Sequence, residues 1–331
     1  MPIPEFVPAP PAPTAVPTPV PPAPPVPPAP TAVPPAPPAP TPVPTPAPPA
    51  PPAPTPVPTP VPPPVSGDPW AVAFGSRPPS PAISLRNCRD VVIENKTFRD
   101  LGANVIAIRI ENCSNVTIRA VDFINVAEGV YAVNSSNITV RDSRYRNITG
   151  PHTRVGVNRG NFVQFNHVNR GLIDHNKGKE GDTEDIVSIF ASQNVVVEDN
   201  HFEGTNWTST GGSGIALGDI GGSGNIARRN ILLNPGQVGI FIAGGTNNQI
   251  VDNIIYQGQR PNSNVGIYVW ENPNNPAVPC TGHTVAGNRV LWKSGTGAAS
   301  PYWDGNNCGS ISLSGNNWNA ALDPAALRVN L

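Results

Sequence analysis

Residues 184–200 read Glu-Asp-Ile-Val-Ser-Ile-Phe-Ala-Ser-Gln-Asn-Val-Val-Val-Glu-Asp-Asn. The stretch contains two short runs of β-forming residues, 187–190 and 195–197, and it ends on Asn200. The densest acidic group of the chain lies at its start: Glu180, Asp182, Glu184 and Asp185. One segment therefore offers both a structural unit and a chemical lead.

A reduced form of this pattern, a short apolar run near an Asn, returns from about residue 85 to the C-terminus. The runs begin at Val91, Val116, Ile138, Ile173, Val195, Ile226, Ile250, Val285 and Ile311. A repeat of about 22–35 residues is typical of solenoids, in which each unit buries its apolar face against its neighbours. The apolar residues alternate, as in Val-Thr-Ile at 116–118, so the units are predicted to be β-strands.

Asn residues share one position of this repeat: Asn95, Asn176, Asn200, Asn230, Asn253, Asn288 and Asn316. Stacked Asn side chains can hydrogen-bond the backbone of the next coil, and Asn tolerates the left-handed conformation that tight turns need. We therefore interpret these residues as a structural ladder rather than as catalytic groups.

Units such as Ser-Asn-Val-Thr-Ile at 114–118, with turns at Asn, resemble the right-handed parallel β-helices of the pectate lyase and polygalacturonase superfamily. The resemblance covers residues from about 80 to 320. It implies an all-β, single-stranded right-handed parallel β-helix of about nine coils. That superfamily includes lyases, hydrolases, epimerases and non-catalytic proteins, so the fold alone does not indicate the reaction.

The first 65 residues differ in composition from the rest of the chain. Residues 1–64 contain 34 of the 46 prolines and one charged residue, Glu5. Proline fixes φ and lacks the amide donor, so we predict a disordered or polyproline II linker over 1–65 and the β-helix domain with its terminal caps over 66–331. A ligand for a Pro-binding module is the alternative reading of the linker.

The charge balance and the hydropathy exclude several classes of protein. With 21 basic and 22 acidic residues, the chain lacks the positive charge of a general nucleic-acid binder. No apolar run approaches the ~18 residues that a membrane span requires. No signal peptide is recognisable, yet the Pro-rich tether and low charge suggest a secreted, periplasmic or cell-surface protein. We expect a monomer.

The four cysteines are expected to form two local pairs. Cys88 and Cys113 each precede a repeat Val by three residues, so they should lie on adjacent coils ~4.8 Å apart, within disulfide range. Cys280 and Cys308 lie in the last two coils; four buried thiols are the alternative. Residues 66–84 are expected to cap one end of the helix, and 318–331 to cap the other as a short α-helix.

The strand register predicts which side chains point outward from the β-helix. Four apolar pairs should face inward: Val187 and Ile189, Ile215 and Leu217, Ile240 and Ile242, and Ile267 and Val269. Two outward rows result: Ser188, Ala216, Phe241 and Tyr268, and beside it Phe190, Gly218, Ala243 and Trp270. Phe241, Tyr268 and Trp270 would form an aromatic patch that stacks on sugar rings, or else the cover beneath a loop.

The same register predicts a third row of Ala191, Asp219, Gly244 and Glu271. Asp219 and Glu271 would lie two coils apart, ~9.6 Å between backbones. That separation is near the upper end of the ~6.5–9.5 Å of inverting glycosidase carboxylates. The two carboxylates could instead hold a cation such as Ca²⁺, or serve only as turn residues.

The acidic group also resembles a polygalacturonase motif. Glu184 and Asp185 are similar to the paired acids of that family, and the resemblance implies a catalytic acid at Asp185. The chain departs from the family at Ser213, which stands where the family has His, and Asn161 is the nearest candidate for its first Asp. Asp182, Glu184, Asp185 and Asp219 are therefore our candidate acids, bases or cation ligands.

A band of basic residues and histidines precedes the acids, and it includes Arg141, Arg144, Arg146, His152, Arg154, Arg159, His167, Arg170, His175, Lys177 and Lys179. A lyase needs a cation to neutralise a uronate and a base to take the α-proton. We assign His175 and Lys177 as catalytic candidates, and Arg154, Arg170 and Lys179, with Phe241, Tyr268, Trp270 and Glu271, as substrate-binding candidates. Ordinary solvated loop charge is the alternative.

These observations together predict an extracellular enzyme acting on a polysaccharide, with an acidic polysaccharide favoured over a neutral one. Elimination is preferred slightly over hydrolysis, because the basic band adjoins the acidic group and the hydrolase His is replaced. The alternative is a non-catalytic carbohydrate-binding or structural β-helix displayed on a Pro-rich stalk.

Overall fold

The computed structural model describes residues 68–150, 160–204, 212–271, 278–305 and 307–331. Every regular element in these ranges is a β-strand, and strands from successive coils pair in parallel. Within them, no helix occurs that is long and apolar enough to cross a membrane. The predicted linker at 1–65 lies outside the described residues.

The chain winds repeatedly through three faces, and two long strands, β2 (Arg89–Glu111) and β3 (Ser114–Val133), bend across all of them. Face 1 continues with β4 (Ser136–Arg141), β7 (Asn169–Asp174), β10 (Gln193–Glu198), β13 (Ile226–Arg228), β17 (Gln249–Val251), β21 (His283–Ala286) and β24 (Ile311–Ser314). Face 2 continues with β5 (Arg144–Ile148), β8 (Lys177–Gly181), β11 (His201–Glu203), β14 (Ile231–Leu233), β18 (Ile254–Gln257) and β22 (Arg289–Trp292). Face 3 also contains β1 (Ile83–Arg86), β6 (Val163–Asn166), β9 (Asp185–Phe190), β12 (Ser213–Asp219), β15 (Val238–Ala243), β19 (Val265–Trp270) and β23 (Tyr302–Asp304). A separate small pair joins β16 (Gly245–Thr246) to β20 (Cys280–Thr281).

The interior is filled by the alternate residues of each strand. All four predicted inward pairs on face 3 are fully buried, which confirms the register of the repeat. Aromatic rings stack within the core from coil to coil, such as Phe98 on Phe123 with centroids 5.5 Å apart. This continuous core makes the coils depend on one another for stability.

The predicted Asn ladder forms at the corner between faces 1 and 2. From Asn176 to Asn316, each side-chain amide donates to the Oδ1 of the next Asn at 2.9–3.0 Å. Asn95 does not belong to this ladder. It occupies the preceding position, where residues adopt positive φ, with φ 54° at both Asn95 and His175. The prediction was therefore off by one residue in the first coil.

Both predicted disulfides form, Cys88–Cys113 and Cys280–Cys308, and no free cysteine remains. The first pair joins adjacent coils, as the common position of its cysteines in the repeat indicated. Neither pair is left as the buried thiols that were the alternative.

The N-terminal segment first lies along face 2, and only its last part covers the end of the helix, where Pro79 and β1 pair with the open edge of β2. Arg77 bonds buried Asp122 of β3, and the ring of Trp70 lies 4.6 Å from Nζ of Lys177 on β8. Ser80 donates its backbone N–H to Thr97 of β2. Residues 68–80 therefore run across several coils of face 2, because their aromatic and Arg side chains contact β3 and β8.

The C-terminal segment also covers face 2, and the predicted α-helix over 318–331 is wrong. Residues 324–327 form a single turn. Beyond it, Arg328 pairs with Glu203, and the carbonyl oxygens of Leu327 and Val329 accept bonds from His201 and Lys179. Backbone groups that a helix would use internally are instead bonded to β8 and β11.

Candidate functional site

A groove of about 610 Å³ opens on face 3. It runs from the start of β9 across β12, β15 and β19 to β23, so it crosses the strands rather than following them. Since coils repeat every ~4.8 Å, five strands span ~19 Å, which is enough for a short run of a polymer. Faces of this kind, rigid and open, suit extended ligands.

One side of the groove is an aromatic wall, which we define as Phe241, Tyr268, Trp270 and Trp303. Phe241 and Tyr268 stack with ring centroids 4.9 Å apart, and Trp303 lies 6.2 Å from Tyr268 and 6.3 Å from Trp270. The register pairs Phe241 with Tyr268, as the sequence predicted. A role of these rings in substrate binding stays a prediction.

Trp303 was not found from the sequence. It continues the outward row of Phe241 and Tyr268 into the last coil, because β19 pairs Tyr268 with Trp303. It is also the most exposed ring of the wall, with 48% of its surface accessible. The Tyr-Trp-Asp run at 302–304 was the available signal, but the row was followed through four coils only.

Asp185 lies at the other end of the groove, at the first position of β9. It is 8% exposed and lines the groove. Asn161 and Ser213, the neighbours singled out in the sequence, contact it from the adjacent coils: Ser213 Oγ donates to the carboxylate, and Asn161 donates to the Asp185 carbonyl oxygen. These two contacts fix the position of Asp185, one at its carboxylate and the other at its backbone.

The surroundings of Asp185 favour its protonated form. Burial raises the pKa of its carboxyl to about 7, and the charges of Glu184 and Asp219 act in the same direction. Hydrogen bonds from Ser213 and Ser188 oppose the increase without cancelling it. A carboxylic acid whose pKa lies near neutrality can donate a proton at physiological pH.

Asp219 belongs to the same side of the molecule, but its predicted row is wrong. It pairs with Phe190, not with Ala191, because β12 contains an irregularity between Ala216 and Asp219. Burial raises the pKa of Asp219. Burial also raises the pKa of the Tyr268 hydroxyl, and the charges of Asp185 and Asp219 act in the same direction. The two carboxylates and the phenol thus form one electrostatic group.

In the part of the chain that the structure describes, no third His, Cys, Asp or Glu joins Asp219 and Glu271 at the possible cation site. The backbone of Glu271 is bonded to Asn307 at the far end of the groove. In the described ranges, three potential metal ligands converge only at Cys280, His283 and Cys308. Two of those are joined in the disulfide, so they do not offer thiolates to a metal.

Among the described residues, the structure does not bring the basic band to the groove. Lys177 and Lys179 lie on face 2, against Trp70 and the C-terminal segment. His175 is a turn residue with φ 54° that bonds Asp174, and Arg170 lies in β7 on face 1 with a φ of 63°. Arg154 lies outside the described residues. Clustering along the chain misled the sequence analysis, because one coil visits all three faces.

Other members of the band are structural, and Asp182 lies at a turn outside the groove. Arg144 is buried against Asp122 at 2.8 Å, and Arg141 pairs with Asp142 and Asp174. Arg146 forms an exposed pair with Glu180. The backbone N–H of Asp182 bonds Ile148 at the corner between faces 2 and 3. These contacts stabilise the coils near face 2.

Polar residues also line the groove: Ser213, which the sequence had singled out, and Gln237, Asn264 and Ser300, which it had not. Each stands at the beginning of a face 3 strand or just before it. Amide and hydroxyl groups beside aromatic rings are the usual partners of neutral, hydroxyl-rich ligands. The sequence marked Gln237, Asn264 and Ser300 only by their positions just ahead of face 3 strands.

The environment of Asp185 predicts a stability effect. Its folded pKa of about 7 exceeds the unfolded value, so the wild type loses stability as pH rises from about 4 to 7. Asp185→Asn removes this penalty and should raise the free energy of unfolding at pH 8 by up to ~4 kcal/mol, with little change at pH 4. Denaturant unfolding at both pH values measures it. Asp252→Asn, at an exposed turn with φ 55°, is the control. An equal effect of Asp185→Asn at both pH values would contradict the prediction.

Comparison with known proteins agrees with this architecture. The family model described as the right handed beta helix region matches residues 81–289. The chain belongs to the right-handed β-helix family. No curated protein matches the sequence.

Several solved structures resemble this β-helix at low sequence identity. They include DFA-IIIase from Arthrobacter chlorophenolicus, with 13% identity over 66% of this chain and 57% of that one, at a TM-score of 0.45. A double mutant of a periplasmic alginate epimerase has 13% identity over 71% and 61%, at 0.48. The catalytic domain of a GH87 α-1,3-glucanase with bound nigerose has 14% identity over 70% and 50%, at 0.48. The chain thus spans half to three fifths of these proteins.

Proposed function

We propose that the groove on face 3 binds a saccharide chain and that Asp185 protonates the glycosidic oxygen of a bond to be hydrolysed. The observation that carries this proposal is a buried carboxyl, with a pKa of about 7, at one end of an aromatic wall. Aromatic faces stack on sugar rings, and a raised carboxyl pKa is the property that a general acid needs.

A neutral saccharide fits the groove better than an anionic one. Among the described residues that line it, Asp185 is the sole charged side chain, and no Arg, Lys or His is present. A uronate would meet a carboxyl and two nearby acids, Glu184 and Asp219, without a compensating cation. The preference for elimination depended on the basic band, whose described members lie elsewhere, so hydrolysis replaces it.

In the proposed reaction, protonated Asp185 gives its proton to the glycosidic oxygen as the bond to the anomeric carbon breaks. Water attacks that carbon, and ionised Asp219 accepts a proton from the water. Asp185 ends ionised and Asp219 protonated, and exchange with solvent restores both. The two disulfides favour an oxidising compartment for this activity, such as the cell exterior or periplasm.

Binding without turnover is the second candidate. The aromatic wall and the polar residues Ser213, Gln237, Asn264 and Ser300 form a complete binding surface without any chemical step by Asp185. Release of reducing ends from neutral polysaccharides distinguishes the two functions. Binding with no release would leave a carbohydrate-binding protein, and unsaturated products from uronate polymers would overturn the hydrolysis proposal.

The aromatic wall provides the binding test. Trp303→Ala should weaken oligosaccharide binding about 10-fold, since one aromatic contact contributes ~1 kcal/mol or more at such sites. Isothermal titration with the best ligand from a panel of neutral and uronate oligosaccharides measures the change. Leu313→Ala is the matched control, because Leu313 is also 48% exposed but lies on face 1. Equal affinity of both variants and wild type would remove the wall from the binding site.

A further inference from the structure

The indole of Trp270 is held by a segment that belongs to the next coil. Trp270 is the last residue of β19, and Glu271 follows it without any strand pairing. A side chain at a strand end is free to move unless other contacts hold its backbone. The residues that supply these contacts lie at 305–309.

We propose that Asn307 is a positioning residue for Trp270, and that the Cys280–Cys308 disulfide holds Asn307 in place. The consequence for saccharide affinity rests on the proposed function of the groove. The inferred positioning of Trp270 does not depend on that function.

The first support is a paired hydrogen bond. The Glu271 N–H donates to Asn307 Oδ1 at 3.0 Å, and Asn307 Nδ2 donates to the Glu271 carbonyl oxygen at 2.9 Å. The side-chain amide thus satisfies both backbone groups of the residue next to Trp270, as a neighbouring strand would do. Asn307 is exposed and contributes nothing to the core, so this pairing is its principal structural contact.

The second support is the packing of Gly305 on the indole. A Cβ added at Gly305 would lie 2.3 Å from Cδ1 of Trp270 and 2.7 Å from Oδ1 of Asn307. Only a residue without a side chain allows the backbone to approach the ring so closely. The Gly305 N–H also donates to the Val269 carbonyl oxygen, which extends the attachment of this segment to the end of β19.

The third support is the anchor of the segment. Cys308 is joined to Cys280, which lies in β20 and is paired there with Gly245 of β16. Gly309 donates its N–H to the Cys280 carbonyl oxygen at 2.6 Å. A continuous series of contacts therefore runs from the coil of β15, through the disulfide, to Asn307 and Trp270.

The same segment carries the other exposed ring of the wall. Trp303 lies on β23, two residues before Gly305, and its ring is 6.3 Å from that of Trp270. Asn307 and the disulfide therefore set the spacing of two rings that would stack on neighbouring sugars. The Cys88–Cys113 pair joins the first coils and contacts neither ring, so it serves as an internal comparison.

Hydrogen exchange of the Glu271 amide tests the positioning directly and needs no ligand. Asn307→Ala and the double variant Cys280→Ala with Cys308→Ala should each raise its exchange rate about 10-fold or more, because the acceptor of this N–H is lost or displaced. The double variant Cys88→Ala with Cys113→Ala should leave that rate unchanged. Unchanged exchange in the first two variants overturns the inference.

Saccharide titration then separates this inference from the proposed function. Where wild type binds, Asn307→Ala should weaken binding about 10-fold while its circular dichroism stays native, and Asn307→Gln should not fully restore binding, because its amide is displaced. Faster Glu271 exchange in a protein that binds no saccharide would support the positioning and refute the proposed function. Binding by Asn307→Ala equal to wild type, despite faster exchange, would overturn the effect on the ligand.

Discussion

Asp185→Asn should lower the rate of glycoside hydrolysis by about 10²–10⁴-fold, because general acid catalysis typically contributes that much. Asn has nearly the same shape, and its Oδ1 can still accept the bond from Ser213. The fold and the groove should therefore persist while the proton is lost. Initial rates of reducing-end release on the best neutral substrate measure the effect.

The pH profile separates a proton donor from a merely structural acid. Asp185 must be protonated to act, so wild-type kcat/KM should fall as pH rises through about 7. Asp219 must be ionised, so activity should also fall at acid pH, from a limit above the usual carboxyl pKa because burial raises the pKa of Asp219. Glu184→Gln removes a negative neighbour and should move the upper limit to lower pH.

Asp252→Asn provides the control for this experiment, since it makes the same chemical change at an exposed turn on another corner of the helix. Its rate and profile should match wild type. An Asp185→Asn variant that hydrolyses at the wild-type rate would show that the central assignment is wrong. The same variant is expected to be more stable at pH 8, so loss of activity through unfolding is not the expected explanation.

Asn230→Ala should destabilise the fold by about 3–5 kcal/mol, although Asn230 has no part in the proposed catalysis. Its side chain makes four hydrogen bonds: to the Val197 carbonyl oxygen, to Asn253 Oδ1, and from the backbone and side chain of Asn200. Asn230 is fully buried. Removing it leaves several buried polar groups without partners, each costing ~1–3 kcal/mol.

Asn316→Ala provides a graded control for the ladder. Asn316 makes the same kind of bonds to Asn288 and Val285, but it is the last rung and is partly exposed, so water can replace its amide. We expect a loss of ~1 kcal/mol there. Denaturant-induced unfolding followed by circular dichroism measures both variants. Equal losses at Asn230 and Asn316 would mean that burial does not set the strength of the ladder.

The repeat allowed much of the fold to be predicted, because each coil solves the same packing problem. Inward pairs such as Ile240 and Ile242 follow from alternation, and both disulfides follow from the position of their cysteines in the repeat. The errors occur where the repeat is interrupted. Asn95 is displaced by one residue in the first coil, and the irregularity in β12 moves Asp219 to pair with Phe190.

Part of the candidate site could also be predicted, because the repeat places equivalent residues in one row on successive coils. Phe241 and Tyr268 share one row across coils, so their placement beside each other was available from the spacing. The segments at 68–80 and 324–331 carry no repeat, and their contacts with Lys177 and Lys179 join residues more than 100 positions apart. Nothing in local sequence indicated that these segments would cover face 2.

The sequence by itself determined that residues 184–200 form two short strands joined by a turn and a rung of the Asn ladder, since alternation and turn chemistry are local properties. It also identified Asp185 as a chemical candidate. Only the tertiary structure decided that Asp185 shares a groove with an aromatic wall, and that the described members of the basic band lie away from it. The reason is geometric: one coil carries successive residues to three different faces, so neighbours in a groove come from successive coils rather than from one stretch of chain.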